Sequence, residues 1–538
     1  VTLSRWLDEL KGPDNPPVLD VYRGKVLLAG GMITEAVSVL RSAQAVIGEK
    51  DVNLLCDCGV VMAQGLIMHG KFKEAIKVLK PLLDLEVDTS IRMKVLYRLA
   101  HVYWYKADDH QVDSCIKKAK RLVHHGRELY LINTIEANLC FGRGEFYEAS
   151  IAINEAVKDV DITSNRKIVL TNNLAIALLL QAKYDESMLL IESIFDDVQA
   201  RRANGLLPVV LDTMGCLQIA KGQEKEGMAS LNKVVAVGKS FDFAENELTD
   251  AYCHLGTMAR RNENYSYALE MHNESVSICR REGTFLDLAK YLINAGTDLV
   301  RLGRLKEAEK YFNEADELAT KHNFGFVKTM IDFQSAWRAH LIEDKETEIK
   351  SLSSALKRAN KYQHNHFIIQ EGKISLPLFS TALLNDIETD YVFWILERIG
   401  QPALSAIEPV LDSDEPELRN KAVTAIGKIG GNNALALLRR TLHDKDKHVR
   451  ENTRTAVSEV RSTLKALDNI LTNREMDVLK ALASGLSNAK IARKIFISER
   501  TVKVHVGSIF RKLGFSKRLE AALFYHKYKN EENPTFFE

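Results

Sequence analysis

A chain of 538 residues has room for several domains of about 100–200 residues each, and its 46% hydrophobic and 27% charged residues are an ordinary soluble balance. Ten prolines and 29 glycines suit long helices joined by short turns and exclude a long flexible linker. The net charge of +1 hides an uneven distribution: between Asp468 and Lys529 thirteen Lys and Arg stand against five Asp and Glu, leaving the remainder mildly acidic; one basic module on an acidic body is the pattern of a chain with a nucleic-acid-binding end.

No apolar run approaches the roughly 18–20 residues that a membrane helix needs; the longest is Leu174 to Leu180. No apolar stretch follows Arg5 and Lys11, so no signal peptide is expected. A cytoplasmic location without membrane contact follows as the expectation. The chain begins at Val1, which fits either a non-standard start codon or a fragment of something longer. Cys56, Cys58, Cys115, Cys140, Cys216, Cys253 and Cys279 are odd in number and lack paired spacing, so they read as buried thiols in helices rather than disulfides or a zinc site. The pairs His124 and His125, and His364 and His366, lack a second ligand pair and read as solvated or capping histidines.

From about Pro17 to Gln363 one theme recurs: an apolar helix, a small or polar turn, and an amphipathic second helix. It is clearest at Gly70-Lys71-Phe72-Lys73-Glu74-Ala75, Gly144-Glu145-Phe146-Tyr147-Glu148-Ala149 and Gly303-Arg304-Leu305-Lys306-Glu307-Ala308. Glycine closes the first helix in a left-handed cap, the aromatic or leucine wedges into the hairpin, and alanine lets the helices approach. Weaker copies lie at Gly31 to Ala36, Ala182 to Ser187, Asn264 to Ala268 and Gly222 to Gly227. A period near 40 residues means stacked helix pairs, each burying its apolar face on its neighbours. Eight or nine hairpins are expected. The series resembles the tetratricopeptide family, with a period somewhat over its usual length; nearly all anchors read as packing residues.

A second period begins after Leu376. Leu411-Asp412-Ser413-Asp414-Glu415-Pro416-Glu417-Leu418-Arg419 is matched by Leu442-His443-Asp444-Lys445-Asp446-Lys447-His448-Val449-Arg450. This resembles short HEAT repeats. Leu418 and Val449 should be core, Asp444 or Asp446 should cap the next helix, and Arg419 and Arg450 should bridge neighbouring repeats. Such repeats also occur in phycobilin lyases, but fold alone confers no chemistry.

From Leu471 the signals sharpen. Thr472-Asn473-Arg474-Glu475 is a capping box. The helix it opens carries Met476, Leu479, Leu482 and Ala483 on one side and should end at Gly485. Ser487 opens a short helix, Asn488 to Ile495, with Ile491, Ala492 and Ile495 inward. After the Phe496-Ile497 turn, Ser498 caps a third helix from Glu499 to about Lys512, stopped by Gly514. Val502, Val506, Ile509 and Leu513 form its buried stripe. Opposite lie Arg500, Lys503, Val504, Gly507, Ser508 and Arg511. A short helix, a tight turn and a longer helix with a basic outer face form a helix-turn-helix, whose longer helix enters the major groove.

Leu471-Thr472, Arg474-Glu475, Val478-Leu479, Gly485, Ser487-Asn488, Ile491-Ala492, Ile497-Ser498, Thr501-Val502-Lys503, His505 and Lys512-Leu513-Gly514, extended by Arg518, Glu520 and Ala521, resemble the LuxR-type helix-turn-helix family over about 60 residues. The resemblance implies that Lys503 and Val504 face bases, that Thr501, Arg511 and Lys512 lie near phosphates, and that a helix from Lys517 to about Tyr525 forms a dimer contact. Two positions depart from the family: Ala489-Lys490 replaces its usual Lys-Glu, removing a capping carboxylate, and Gly507 replaces a long base-contacting side chain, so direct readout should be thinner.

Helical repeats before such a domain also resemble the MalT-like regulators, with Thr2 to Leu10 like the segment where their repeats begin. The phosphate-cradling Gly-x-x-x-x-Gly-Lys-Ser/Thr loop of their nucleotide-binding module is absent from this sequence. The expected fold is all-α: a tetratricopeptide-like solenoid at 1–363, HEAT-like repeats at 364–463, a four-helix LuxR-type domain at 467–530 and a tail at 531–538. The expected function is sequence-specific binding of double-stranded DNA in transcription regulation, as a homodimer through the last helix, with an unknown protein or small-molecule effector on the repeats. No enzyme activity, cofactor or metal is expected. The alternative is a repeat scaffold for protein partners with incidental DNA affinity, or a helix-turn-helix serving as a protein-binding module.

Overall fold

The computed structural model describes residues 16–47, 51–122, 129–158, 165–201, 203–240, 248–484 and 486–513, together with Arg518, Ala521 and Tyr525. Among these residues every regular element is helical, and no helix is long and apolar enough to cross a membrane. The expectations for Thr2 to Leu10, His124 and His125, the stops at Gly485 and Gly514 and the tail at 531–538 fall outside the described residues. Two compact units divide the chain, Val1–Gln370 and Glu371–Glu538.

The first unit is a run of nine helical hairpins among the described residues. In order these are α1 (Pro17–Ala29) with α2 (Ile33–Ile47), α3 (Val52–Met68) with α4 (Phe72–Leu79), α5 (Thr89–Tyr105) with α6 (Asp109–Leu122), and α7 (Leu129–Arg143) with α8 (Phe146–Lys158). Then come α9 (Asn165–Leu180) with α10 (Tyr184–Ala200), α11 (Leu207–Ala220) with α12 (Glu224–Ser240), and α13 (Thr249–Arg261) with α14 (Tyr265–Glu282). The last are α15 (Phe285–Arg301) with α16 (Leu305–Lys321) and α17 (Gly325–Leu341) with α18 (Lys345–Tyr362).

The turn chemistry is the one read from the sequence. Gly70, Gly144 and Gly303 have φ of 68°, 80° and 74°, and in each case the next amide bonds back to a carbonyl in the last turn of the first helix, as from Lys71 to Leu66 at 2.8 Å. Ala75, Ala149 and Ala308 are fully buried where the helices cross. Four hairpins turn without glycine, at Ala107, Ala182, Glu263 and Glu343, and two of these carried no sequence signal at all: Ala107 and Glu343 take the left-handed conformation at φ of 50° and 59°. Five residues on from them stand Val112 and Glu348, both fully buried. Glu348 is tolerated there because His340 Nδ1 lies at 3.1 Å and Lys345 Nζ at 2.8 Å.

First helices pack on the first helices of the next hairpins, α3 on α5 and α5 on α7 among them, while second helices barely meet. The stack therefore curves toward its first helices. It coils far enough that hairpins distant in sequence touch. His322 Nδ1 lies 2.9 Å from the Ala107 carbonyl, and Asn365 Nδ2 donates to the Gln181 carbonyl at 3.1 Å. His364 is fully buried between Thr329 Oγ1 at 2.9 Å and the Gly144 carbonyl at 2.7 Å, and His366 faces Tyr184 Oη at 3.1 Å. This corrects the reading of these two histidines as solvated: they seal one layer of the coil on another. Burial holds His364 neutral, its pKa lowered to about 4. A Cβ on Gly144 would lie 2.7 Å from the Phe326 amide nitrogen, so this glycine serves both its turn and the layer contact.

In the second unit α19 (Asn365–Gly372) straddles the division, followed by α20 (Leu376–Leu384), α21 (Thr389–Ile399), the short α22 (Leu404–Ile407), α23 (Pro416–Ile429) and α24 (Gly431–Thr441). Arg419 does bridge repeats: Nε and Nη2 grip Asp444 at 2.8 and 2.7 Å, and Nη1 bonds the Ser413 and Asp414 carbonyls. Arg450 repeats only the carbonyl half of this arrangement, on Asp444 and Lys445. Asp446 caps the following helix through the His448 and Val449 amides. Val449 is fully buried, whereas Leu418 is only half-buried.

That following helix, α25 (Lys447–Ile470), runs 24 residues without a break. It carries the chain from the HEAT-like repeats to the C-terminal module with no irregular connection between them. Leu471 turns the chain, with its buried side chain in the next core, and Thr472 starts α26 (Asn473–Ala483).

Candidate nucleic-acid interface

Three helices build the C-terminal module: α26, α27 (Asn488–Lys494) and α28 (Glu499–Leu513). Each starts at a hydroxyl. Thr472 and Glu475 form the capping box, Ser487 accepts from the Lys490 amide, and Ser498 accepts from the Thr501 amide at 3.0 Å. With no carboxylate at residue 490, α27 has the serine cap alone. Val478, Leu479, Leu482, Ile491, Val502 and Ile509 form the centre of the core, with Met476, Ile495 and Val506 packed around it.

Ala521 is fully buried and Tyr525 is 5% exposed in this same core. The expected dimer face therefore loses two of its apolar residues to the fold of the module itself. Arg518 ties its guanidinium to Asn488 Oδ1 at 2.6 Å and to the Leu486 carbonyl, holding the approach to α27.

The outer face of α28 separates the eight candidate residues into two groups. Arg500, Lys503, Val504, Gly507 and Arg511 are exposed along one stripe. Val504 is 64% exposed, Lys503 reaches Glu499 at 4.0 Å, and among the described residues a Cβ on Gly507 would meet nothing within 4 Å. Thr501 is half-buried with its hydroxyl on Ser498 at 2.7 Å.

Ser508 and Lys512 behave differently. Both turn to Glu475, whose carboxylate accepts from Ser508 Oγ at 2.6 Å, Lys512 Nζ at 2.7 Å and the Thr472 amide at 2.8 Å. Burial alone would raise the Glu475 pKa, but Lys512, Ser508 and Thr472 outweigh it and hold it at about 2. The capping-box glutamate thus also locks α28 to α26.

α27 also exposes three cations, Lys490, Arg493 and Lys494, none of them among the expected DNA contacts. The helix crossing the DNA backbone in a helix-turn-helix is this shorter one, so their charge alone was the available signal. Phe496, at the turn with φ of 57°, is 91% exposed.

Comparison with known proteins agrees with this geometry. Residues 469–525 match the bacterial regulatory proteins of the luxR family, 247–321 match tetratricopeptide repeats and 391–487 match HEAT repeats. The HEAT match overlaps the luxR match across α26, and the packing of Val478, Leu479 and Leu482 assigns that helix to the C-terminal core. The nitrate/nitrite response regulator protein NarL of Escherichia coli is 46% identical over 67 residues, 12% of this chain and 31% of NarL. The transcriptional regulatory protein YhcZ of Bacillus subtilis is 53% identical over 58 residues, 11% of this chain and 27% of YhcZ. The chain thus spans about a quarter to a third of the length of these relatives. A Rap protein complexed with competence and sporulation factor aligns with 66% of this chain and 99% of its own, at 10% identity and a TM-score of 0.47. The apo form of the quorum sensor NprR from B. thuringiensis aligns with 65% and 100%, at 13% identity and 0.41. Similarity at that level says nothing of what these repeats bind.

Proposed function

We propose that this chain, which ends in a LuxR-type helix-turn-helix domain behind tetratricopeptide and HEAT repeats, regulates transcription by reading a specific DNA site under the control of its repeats. The observation that carries the reading is the exposed stripe Arg500, Lys503, Val504, Gly507 and Arg511 on α28. Lys503 and Val504 lie near the start of the recognition helix, where base edges are reached. Arg511 sits two turns on, and with Arg500 and the α27 cations it suits phosphates, which position the protein without reading sequence. Thr501 stands beside them at the helix start. Ser508 and Lys512 act from behind, holding α28 at its angle through Glu475.

Control by the repeats is supported by α25. A helix that begins in the HEAT repeats and delivers Leu471 into the module's core can transmit an orientation, as a flexible tether could not. An effector on the repeats shifts DNA binding only through unequal affinity for two states. Two copies on an inverted repeat, with half-sites about one helical turn apart, complete the reading.

The test uses DNA recovered by selection from a random pool with the full chain. The full chain and the fragment 467–538 are titrated on it at one salt concentration, with copy number read by sedimentation. Weaker binding by the full chain, relieved by cell extract, supports repeat control. Equal affinity in every condition reduces the repeats to a recruitment surface, and one copy per site removes the dimer.

A further inference from the structure

On the inner side of the stack, where first helices adjoin, three different metal-ligand side chains converge. Asp212 and Cys216 lie one turn apart on α11, and His254 projects from α13, one repeat later. His254 Nδ1 is 3.1 Å from Cys216 Sγ and 3.2 Å from Asp212 Oδ1, and the three donor atoms all lie within 4.8 Å of one another. A tetrahedral zinc-class ion, with bonds of about 2.0 Å to N and O and 2.3 Å to S, holds such atoms about 3.3–3.5 Å apart. The two distances from His254 Nδ1 need only a few tenths of an ångström of opening, and Cys216 Sγ and Asp212 Oδ1 lie within 4.8 Å of each other. Cys216 is 7% exposed, while the side chains of His254 and Asp212 are 35% and 20% exposed, so the cluster is floored by protein and open on one side.

From this geometry we infer a zinc-class divalent cation site formed by Asp212, Cys216 and His254. Thiolate, imidazole and carboxylate together suit Zn2+ rather than Mg2+ or Ca2+, which take oxygen ligands. Three protein ligands leave a fourth position for water or for a donor atom of an incoming molecule, unlike a closed structural site.

Charge balance favours the same occupant. Burial pushes the Cys216 thiol up to about 11 against the opposing pull of His254. Burial disfavours a charged His254, but Cys216 and Asp212 outweigh it and raise its pKa well above the usual histidine range. Binding M2+ forms bonds to Sγ, Nδ1 and Oδ1, and any proton held on the thiol or on Nδ1 leaves to solvent. The metal-bound cluster, with thiolate, neutral imidazole, carboxylate and M2+, carries no net charge into a half-buried place. Behind it Asp250 is engaged by Tyr291 Oη at 2.5 Å, with Lys290 4.0 Å away and on Asp287 at 2.9 Å, so the neighbouring charges are already matched. The inference stands independently of the DNA-reading function. Sequence spacing could not show it, because the third ligand arrives only when consecutive repeats stack.

The experiment uses the full chain, stripped with chelator, kept reduced by a phosphine and titrated with Co2+ as a spectroscopic probe, then with Zn2+. The expected result is one Co2+ per chain with near-ultraviolet thiolate-to-cobalt absorption, bleached by Zn2+. Affinity should rise with pH, because the ion competes with protons for its ligands. Cys216→Ser should abolish the charge-transfer band. Asp212→Asn and His254→Ala should each weaken binding at least about 10-fold, and Cys140→Ser should change nothing. Circular dichroism checks folding, and Asp212→Asn serves if Cys216→Ser does not fold. Absence of the band in the wild type, or its persistence in Cys216→Ser, overturns the site.

Discussion

The hairpin repeats and the C-terminal module are both helical, yet they are fixed by opposite kinds of contact. The module is held by neighbours in sequence: capping hydroxyls three residues from their amides, and a core drawn from some 55 residues between Leu471 and Tyr525. The repeats close through groups hundreds of residues apart, as His364 does on Gly144 and His322 on Ala107. Their buried charges also sit differently. In the repeats Arg260, Asp298 and His272 form a triad with almost no exposure, Asp298 accepting from His272 Nδ1 at 2.5 Å and Arg260 Nη1 at 3.2 Å. In the module the corresponding lock, Glu475 with Lys512, keeps its cation 37% exposed. The comparison teaches that a small domain can depend on local signals, while a coiled solenoid depends on contacts that no local pattern announces.

The largest effect should come from the buried triad. Asp298→Ala strands two cations and should cost about 3–5 kcal/mol. All four tryptophans, Trp6, Trp104, Trp337 and Trp394, precede the module, so tryptophan fluorescence in urea follows the repeats alone. A midpoint unchanged from wild type would break the claim that this triad anchors them.

Next come two glycines with nearly the same φ but different surroundings. Gly144→Ala should cost at least about 2–3 kcal/mol, because the left-handed conformation and the Phe326 approach both resist a Cβ. Gly303→Ala meets nothing within 4 Å and should cost only the conformational part, about 1–2 kcal/mol. Equal losses in the same fluorescence assay would remove the layer contact as a source of stability.

Acid and alkali should separate the regions. In His272 burial opposes the cation, but Asp298 outweighs it and raises the pKa to about 9. Its contribution is complete below the ordinary histidine value of about 6.5 and is lost as pH rises through about 9. Glu475 is depressed to about 2, so its contribution is present above about pH 4.3 and is lost as pH falls through about 2. Calorimetry should show the repeats weakening toward alkali and the module toward acid. Glu475→Gln should destabilise the module by about 2 kcal/mol at pH 7, discounted for the solvent around Lys512, and flatten that acid dependence. An unaltered acid profile in this variant would assign it elsewhere.

What was legible followed the same division. Gly70, Gly144 and Gly303 announced their hairpins because a left-handed turn favours glycine, while Ala107 and Glu343 take the same conformation without announcing it. The capping box and the buried stripe of α28 were readable as spacing. Spacing gives the face of a helix but not the partner across it, so nothing in the sequence announces the bonds from Ser508 and Lys512 to Glu475. His364 and His366 read as surface residues because their partners lie in another layer of the coil.

The smallest expected effect belongs to Arg511: Arg511→Ala should weaken all DNA sequences alike and reduce the salt slope by about 1. A sequence-dependent loss would move Arg511 from phosphate to base.

The most direct measurement of the central claim is the affinity of the full chain, wild type and Lys503→Ala, for selected and for random DNA at one salt concentration. A stripe that reads bases predicts a loss of about 1–3 kcal/mol on selected DNA and little on random DNA. Equal loss on both, or no sequence enriched by the wild type, would contradict it.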